Sequence, residues 1–440
     1  MKLSGWGRFP VHDAAVFAPR DEAQLAERIS AGSLIARGNG RAYGDSAVSR
    51  GNTVHMRHFN RFIAFDSISG QLVAEAGVLL ADIISALLPL GWFPAVTPGT
   101  KFVTLGGMIA ADVHGKNHHR DGSIGCFVDW IDLMDASGAV QHCSPHENPE
   151  LFAWTLGGMG LTGVILRVAL RLRRVQTAWI KQTIRPASNL DAAIALFEGS
   201  DDALYSVAWI DCLSRGHQLG RSLLMLGEHA SLADLSQHHQ STPLITKPKR
   251  QKSVPFSLPS GLLNAAAMRA FNTVYYWKTA RRQSPDLVDW ESYFYPLDAI
   301  LGWNKIYGRK GFAQFQCVLP LDQSREGLRA LLEATSAAGA GSFLAVLKRF
   351  GAQHSKFSFP MAGYTLALDF PITAKTLALM TRLDQITLAH GGRFYLAKDS
   401  RMTAQTQRLS DSRTAQFVEM RANRSLRPAF QSAQSERLDL

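Results

Sequence analysis

Residues 98–119 read PGTKFVTLGGMIAADVHGKNHH, and this stretch decides what the first third of the chain can build. Gly99, Thr100, Thr104, Gly106, Gly107, Ala110 and Ala111 keep it small, so a flat ligand can lie directly against the backbone. Polar side chains then crowd around His114, with Lys116, Asn117, His118 and His119 in quick succession. Three histidines so close suggest a metal, but no carboxylate or cysteine completes a familiar ligand spacing, and no metal is expected.

Two more glycine-rich stretches flank this one. Upstream, the strand-like SLIAR runs into Arg37, Gly38, Asn39, Gly40, Arg41, Ala42, Tyr43 and Gly44. Glycines let backbone N–H groups approach a diphosphate closely, and successive amides form an anion-binding concavity. It is not a Rossmann fingerprint, because no helix with a downstream ribose-binding acid follows. Downstream, LGGMGLTGVI (residues 156–165) repeats the pattern and contains Gly163 and Ile165. Each loop alone reads as a turn; three in one region point to a bound nucleotide.

Working outward, hydrophobic patterning predicts short strands with brief helices between them. Asp21 caps a helix to Ser30, FIAFD and QLVAEAG form a hairpin, and Leu80 to Leu88 is a helix stopped by Pro89 and Gly91. VDWIDLMDASGAVQHC reads as a second hairpin, Asn148 and Pro149 cap and open a helix, and GVILRVALRLRRV is one long strand. Past about residue 175 the texture becomes strands such as QFQCVLP, SFLAVLKRF and YTLALDF, interleaved with two long helices. An α+β fold follows. The Pro-, Ser- and Lys-rich segment at about 238–260 reads as a mobile loop.

Composition narrows the function. A length of 440 residues suits two or three domains at roughly 100–200 residues each. Four scattered cysteines with no CxxC pair argue against a disulfide framework or zinc site and for a reducing, cytoplasmic setting. No apolar run is long enough to cross a bilayer as a helix, and the start lacks the apolar region of a secretory signal. A net charge of +11 suits an anionic partner. Nucleic acid is disfavoured, because no reader motif accompanies the charge.

The three loops resemble the flavin-binding domain of the vanillyl-alcohol-oxidase-like FAD oxidoreductases. LSGWGR, FYPLD, WNKIYG, GFAQFQCVLP, FLAVLKRFG, LDFPI and YLAKDSR, in order along nearly the whole chain, are similar to the decaprenylphosphoryl-β-D-ribose 2-oxidase family. The resemblance implies a two-domain PCMH-type fold. Residues 1–178 and 391–440 would form the FAD-binding domain, and residues 179–390 an inserted α+β substrate domain on an antiparallel sheet. It implies that the loop from Arg37 to Tyr43 holds the FAD diphosphate. Gly99, Thr100, Thr104, Gly106, Gly107, Ala110, Ala111, His114 and Asn117 would line the cofactor, with Gly163 and Ile165 on its adenine side and Tyr395 and Ala397 on another face. Covalent relatives attach flavin through a histidine where this chain has Ala42, so FAD should be non-covalent.

The implied reaction removes hydride from C2 of a polyprenyl-phosphoryl ribose, and a separate NAD(P)H-dependent keto-reductase then completes epimerisation to the arabinose form. By resemblance, Lys398 and His114 flank the reacting carbon, Tyr43, Gln314 and Gln316 meet the sugar, and Lys116 and Lys348 meet the phosphate. Which of Lys398 and His114 serves as base stays open. Work at the inner-membrane surface, on either side, is implied by the lipid. An aldonolactone or alditol oxidase acting on a free sugar is the alternative, and a non-catalytic lipid-binding partner a third. Three departures stand out: Ala367 where the family often has cysteine, Phe294–Tyr295 where Tyr–His is expected, and a loosely matching C-terminal stretch.

Overall fold

The computed structural model describes the whole chain except Pro248, residues 258–264 and residues 283–284. The N-terminal part carries a three-stranded parallel sheet, with Asn52–His55 between Ala15–Phe17 and Leu34–Arg37. Beside it stands a six-stranded antiparallel sheet centred on Val164–Arg174. That long strand pairs with Gln71–Glu75 on one side and Val128–Met134 on the other, and its far end takes Trp92–Pro94. Both expected hairpins form, Phe62–Phe65 with Gln71–Glu75 and Val128–Met134 with Val140–Cys143. Alternation in these strands buries Leu72, Ala74, Ile131, Leu133, Val168 and Leu170 in one core.

Local chemistry sets the short helices. Asp21 accepts the N–H of Gln24 at 2.8 Å and opens Glu22–Ser30. Asn148 departs from expectation. It is left-handed (φ 49°) and makes no side-chain cap; its Nδ2 donates to the His142 carbonyl, while Pro149 opens the helix Pro149–Thr155.

The second layer is an eight-stranded, wholly antiparallel sheet drawn from Trp179–Ala187 through Arg393–Phe394. Its centre runs Ala345–Phe350, Gly363–Pro371, Phe312–Pro320. Leu347, Leu366, Leu368 and Phe315 are buried towards the helices Leu321–Ala338 and Ala374–Ala389. The alternate residues face the N-terminal layer, so the two units close on each other with this face between them. The mixed helix and antiparallel sheet content bears out the α+β expectation.

The segment expected at about 238–260 lies partly outside the described residues. Its described part is anchored: Lys252–Ser253 pairs in parallel with Ile300–Leu301, and Lys305 Nζ donates to the Val254 carbonyl at 3.0 Å.

Past Phe394 the chain returns to the first layer. Leu34 N–H donates to the Ala429 carbonyl and Ala433 N–H to the Val48 carbonyl. Arg421 is fully buried there, and its guanidinium donates to the carbonyls of Leu161 (3.1 Å), Phe430 and Leu440. Arg421→Ala would leave three buried acceptors unpaired, and a loss of about 3 kcal/mol is expected. Thermal unfolding against a surface control such as Arg408→Ala checks it.

Candidate active site

A cleft of about 1810 Å³, its open mouth included, separates the glycine loops from the eight-stranded sheet. One wall is backbone: Gly38 to Tyr43, Pro98 to Thr100, Thr104, Gly106, Gly107, Ala110, Ala111, Gly160, Gly163 and Ile165. The loops touch so closely that only glycine fits at their crossings. A Cβ on Gly38 would lie 2.0 Å from Thr104 Oγ1, and one on Gly44 2.0 Å from the Asp399 carbonyl oxygen. Thr104 is committed at that spot, since its hydroxyl caps the helix Leu105–Ala110 through the Gly107 N–H. Tyr43 N–H donates to the Ala397 carbonyl at 3.0 Å, which ties the first loop to the chain's returning segment.

The opposite wall is sheet. Gln314 and Gln316, two apart on Phe312–Pro320, both face the cleft, with Thr365, Ala367, Val346 and Lys348 from the neighbouring strands. Gln314 Nε2 donates to Asp369 Oδ1 at 2.5 Å. Gln316 Nε2 lies 3.2 Å from both Thr365 Oγ1 and His114 Nε2. The His114 ring is wedged among Phe350, Tyr395 and Phe359, with its centroid 4.7 Å from that of Phe350. Tyr395 is fixed in turn by its hydroxyl, which donates to the Ala111 carbonyl at 3.1 Å. Lys398 Nζ sits 3.6 Å from the Tyr43 ring centroid.

These groups carry unusual charge. Burial, then Lys348 and other nearby cations, holds His114 well below the usual imidazole range, so it is neutral at pH 7. Burial brings Lys348 down to about 8. Burial lowers Lys398 and raises Asp369, and each carries the other's charge as its compensation. Among the described residues lining the cleft the only carboxylate is Asp298, held by the Lys101 N–H at 2.8 Å. Arg41, Lys348 and Lys398 oppose it, so the cleft is built for an anion.

A flavin dinucleotide fits this cleft. A Cβ on Gly99 would meet nothing within 4 Å, so the loop faces open space where a ring or diphosphate can approach its backbone. Arg41 Nε and His114 Nδ1 are buried without partners, as donors awaiting a ligand would be.

Three of the residues singled out from sequence stand behind the cleft wall instead of in it. Arg37 stacks under Gly40 and donates to the carbonyls of Ser4 and Ala47, bracing the loop. Asn117 spends Nδ2 on the Ala95 carbonyl and Asp121. Lys116, brought down to about 7 by burial and then by Lys348, donates to the Tyr293 carbonyl with Nζ 4.0 Å from the Tyr293 ring centroid. Phe294 and Tyr295 are buried away from the cleft, so that departure leaves its polarity unchanged, whereas Ala367 is in the wall. Sequence reasoning missed Asp298, Thr365, Trp303 and Asp369. Asp369 becomes visible only through strand register, which sets it opposite Gln314.

A family model described as an FAD binding domain matches residues 14–144. The whole chain aligns at 35% identity with 97% of the decaprenylphosphoryl-β-D-ribose oxidase of Mycolicibacterium smegmatis. The chain belongs to that family. It is a flavoprotein whose cofactor is FAD. A Streptomyces coelicolor protein named only for its place in the mprA 5′ region is 32% identical over 82% of this chain and its own full length. Bovine L-gulonolactone oxidase is 32% identical over 30% of each chain, which reaches less far than the full-length match to the ribose oxidase family.

Two glycines separate space for the fold from space for the cofactor. Gly38→Ala pushes on Thr104 and is expected to lower both flavin content and thermal stability, by ~1–3 kcal/mol for the latter. Gly99→Leu enters open space and is expected to lower flavin content while the melting temperature of the flavin-free protein stays put. Flavin absorbance per chain and thermal melts of stripped protein check the pair.

Proposed function

We propose that this protein oxidises the C2 hydroxyl of a polyprenyl-phosphoryl-β-D-ribose to the 2-keto sugar. The observation that carries this reading is the facing of two sets of groups across one cleft. Lys348, Gln314 and Gln316 stand on the sheet, and His114 and Lys398 stand beside the flavin loops. Within this reading, residues 1–178 and 391–440 bind the cofactor and residues 179–390 the substrate. FAD, when bound, supplies the hydride acceptor.

The protein's own groups deal with the sugar and its proton. Lys348 pairs with the phosphate, and Gln314 and Gln316 orient ring hydroxyls from one face of the strand. The neutral His114 accepts from Gln316 at Nε2, so its proton sits on Nδ1, ready to donate to the reacting oxygen. That leaves Lys398, lowered towards the free amine by burial, to take the hydroxyl proton, with Asp369 stabilising the ammonium that forms. Tyr43, under the Lys398 amine, fixes its direction. Lys116 supports from behind, positioning Tyr293 and adding positive potential near Lys348. The product is a ketone that a separate keto-reductase would reduce from the other face. An aldonolactone or alditol oxidase remains the second reading; a buried lysine aimed at the substrate side favours the phosphorylated sugar.

Anaerobic addition of a polyprenyl-phosphoryl ribose analogue should bleach the flavin, and bleaching only by a free aldonolactone would install the second reading. Lys398→Ala should keep its flavin and lose at least ~10²-fold in the rate of reduction by substrate. Unchanged reduction in that variant sinks the assignment of the proton acceptor.

The pH dependence has a definite sign. Lys348 must be charged to hold the phosphate, so kcat/KM should fall as pH rises through about 8. In Lys348→Arg the fall should vanish over that window, because guanidinium stays protonated. A further contrast uses the wall: no cysteine lines the cleft among the described residues. Small thiol reagents should leave the natural protein active and inactivate Ala367→Cys.

A further inference from the structure

The helix Ala265–Ala280 carries large apolar side chains on its outward face as well as its buried one. Its buried side carries Met268 and Thr279 with Asn272, which donates to Asp211 at 2.7 Å, and Tyr276, whose hydroxyl donates to the Ala187 carbonyl. Its outward side carries Phe271 (46% exposed), Val274 (65%) and Trp277 (50%). A surface helix ordinarily buries such side chains. Phe256 (65%), Ile300 and Leu301 add to the exposed apolar surface.

This apolar surface reaches the rim of the cleft from two sides. Phe271 stacks on Phe343, with centroids 6.0 Å apart, and the next residue, Leu344, lines the cleft. Ile300 and Leu301 stand between Asp298 and Trp303, which both line it, and they hold Lys252–Ser253 in a parallel pair.

Charge states what covers the surface. Across residues 235–285 the chain has eight Lys and Arg and no Asp or Glu. Arg250, Lys252, Arg269, Lys278, Arg281 and Arg282 are exposed, and none makes an ion pair among the described residues. Aromatic side chains among unpaired cations suit the interface of an anionic bilayer, where rings enter the headgroup boundary and cations meet phosphates. A second copy of this chain would set these cations against one another.

We infer that the outward face of Ala265–Ala280, with Phe256, Ile300 and Leu301, seats the protein on an anionic membrane with its cleft mouth at the lipid surface. The inference rests on the reading of a lipid-linked substrate and adds where that substrate enters: the sugar phosphate reaches the cleft while the prenyl chain stays in the bilayer.

The test is co-sedimentation of the full-length holoprotein with vesicles of equal parts phosphatidylglycerol and phosphatidylcholine, or of phosphatidylcholine alone. Binding should be strong to the first and at least ~10-fold weaker to the second. Arg269→Gln/Lys278→Gln/Arg282→Gln should weaken it about 100-fold, at about fivefold per charge. Phe271→Ser/Trp277→Ser should also release the protein. Both variants should keep flavin absorbance and turnover of a water-soluble short-chain substrate analogue while losing turnover of vesicle-embedded substrate. Equal binding to both vesicles, no binding, or variants that bind like the parent would overturn the inference. So would a dimer dispersed by Phe271→Ser/Trp277→Ser without vesicle binding. Vesicle binding as expected, with no oxidation of polyprenyl-phosphoryl ribose, would remove the substrate reading and leave the surface standing.

Discussion

Backbone laid against backbone is the constraint on which the rest of this structure depends. Gly38 lies on the Thr104 hydroxyl and Gly44 on the Asp399 carbonyl, so three distant segments of chain meet with no side chain between them. Because those crossings are tight, the glycine loops form one continuous wall of amides and small residues. That wall is flat enough for a flavin and polar enough for its diphosphate. The eight-stranded sheet then closes the other side, and the cleft is what two such different surfaces leave between them.

Burial in the cleft has a consequence for charge. Buried away from water, the amines of the cleft lose solvation, and Lys348 and Lys398 both move towards neutrality. Asp369 stands close enough to compensate Lys398 but is itself pushed up by burial. Under the proposed reading, one lysine binds an anion while another handles a proton, two tasks for the same side chain in different surroundings. His114 is held neutral by burial and by the lysines beside it.

Much of this was legible in the chain before any coordinates. Hairpins with short turns, the cap at Asp21 and the long alternating strand Val164–Arg174 depend on neighbours in sequence, and they formed as expected. Strand periodicity put Gln314 and Gln316 on one face, whereas the reading of that face as the sugar-binding one came only from the resemblance. What sequence could not supply was depth and register. Arg37 and Asn117 carry the right chemistry for a cofactor, yet they sit one layer too deep and satisfy carbonyls there. Asp369 lies opposite Gln314 only because two strands far apart in sequence pair in one register. Asn148 failed as a cap because its backbone is left-handed (φ 49°), not in the extended conformation from which a side-chain oxygen reaches the first-turn amides, and spacing alone cannot decide that.

The sheet face that closes the cleft has a further implication. Its cleft-facing residues alternate with core residues on the same strands: Gln314 and Gln316 look outward while Phe315 and Cys317 hold the helices. The glycine loops of the opposite wall come from other segments altogether. Inheritance of the two jobs is therefore separable. Changes at alternate positions of three neighbouring strands can redirect which alcohol is presented, while the flavin cradle and the hydrophobic layer beneath pass unaltered from one descendant to the next. A lineage built this way can diversify its substrates without renegotiating its chemistry.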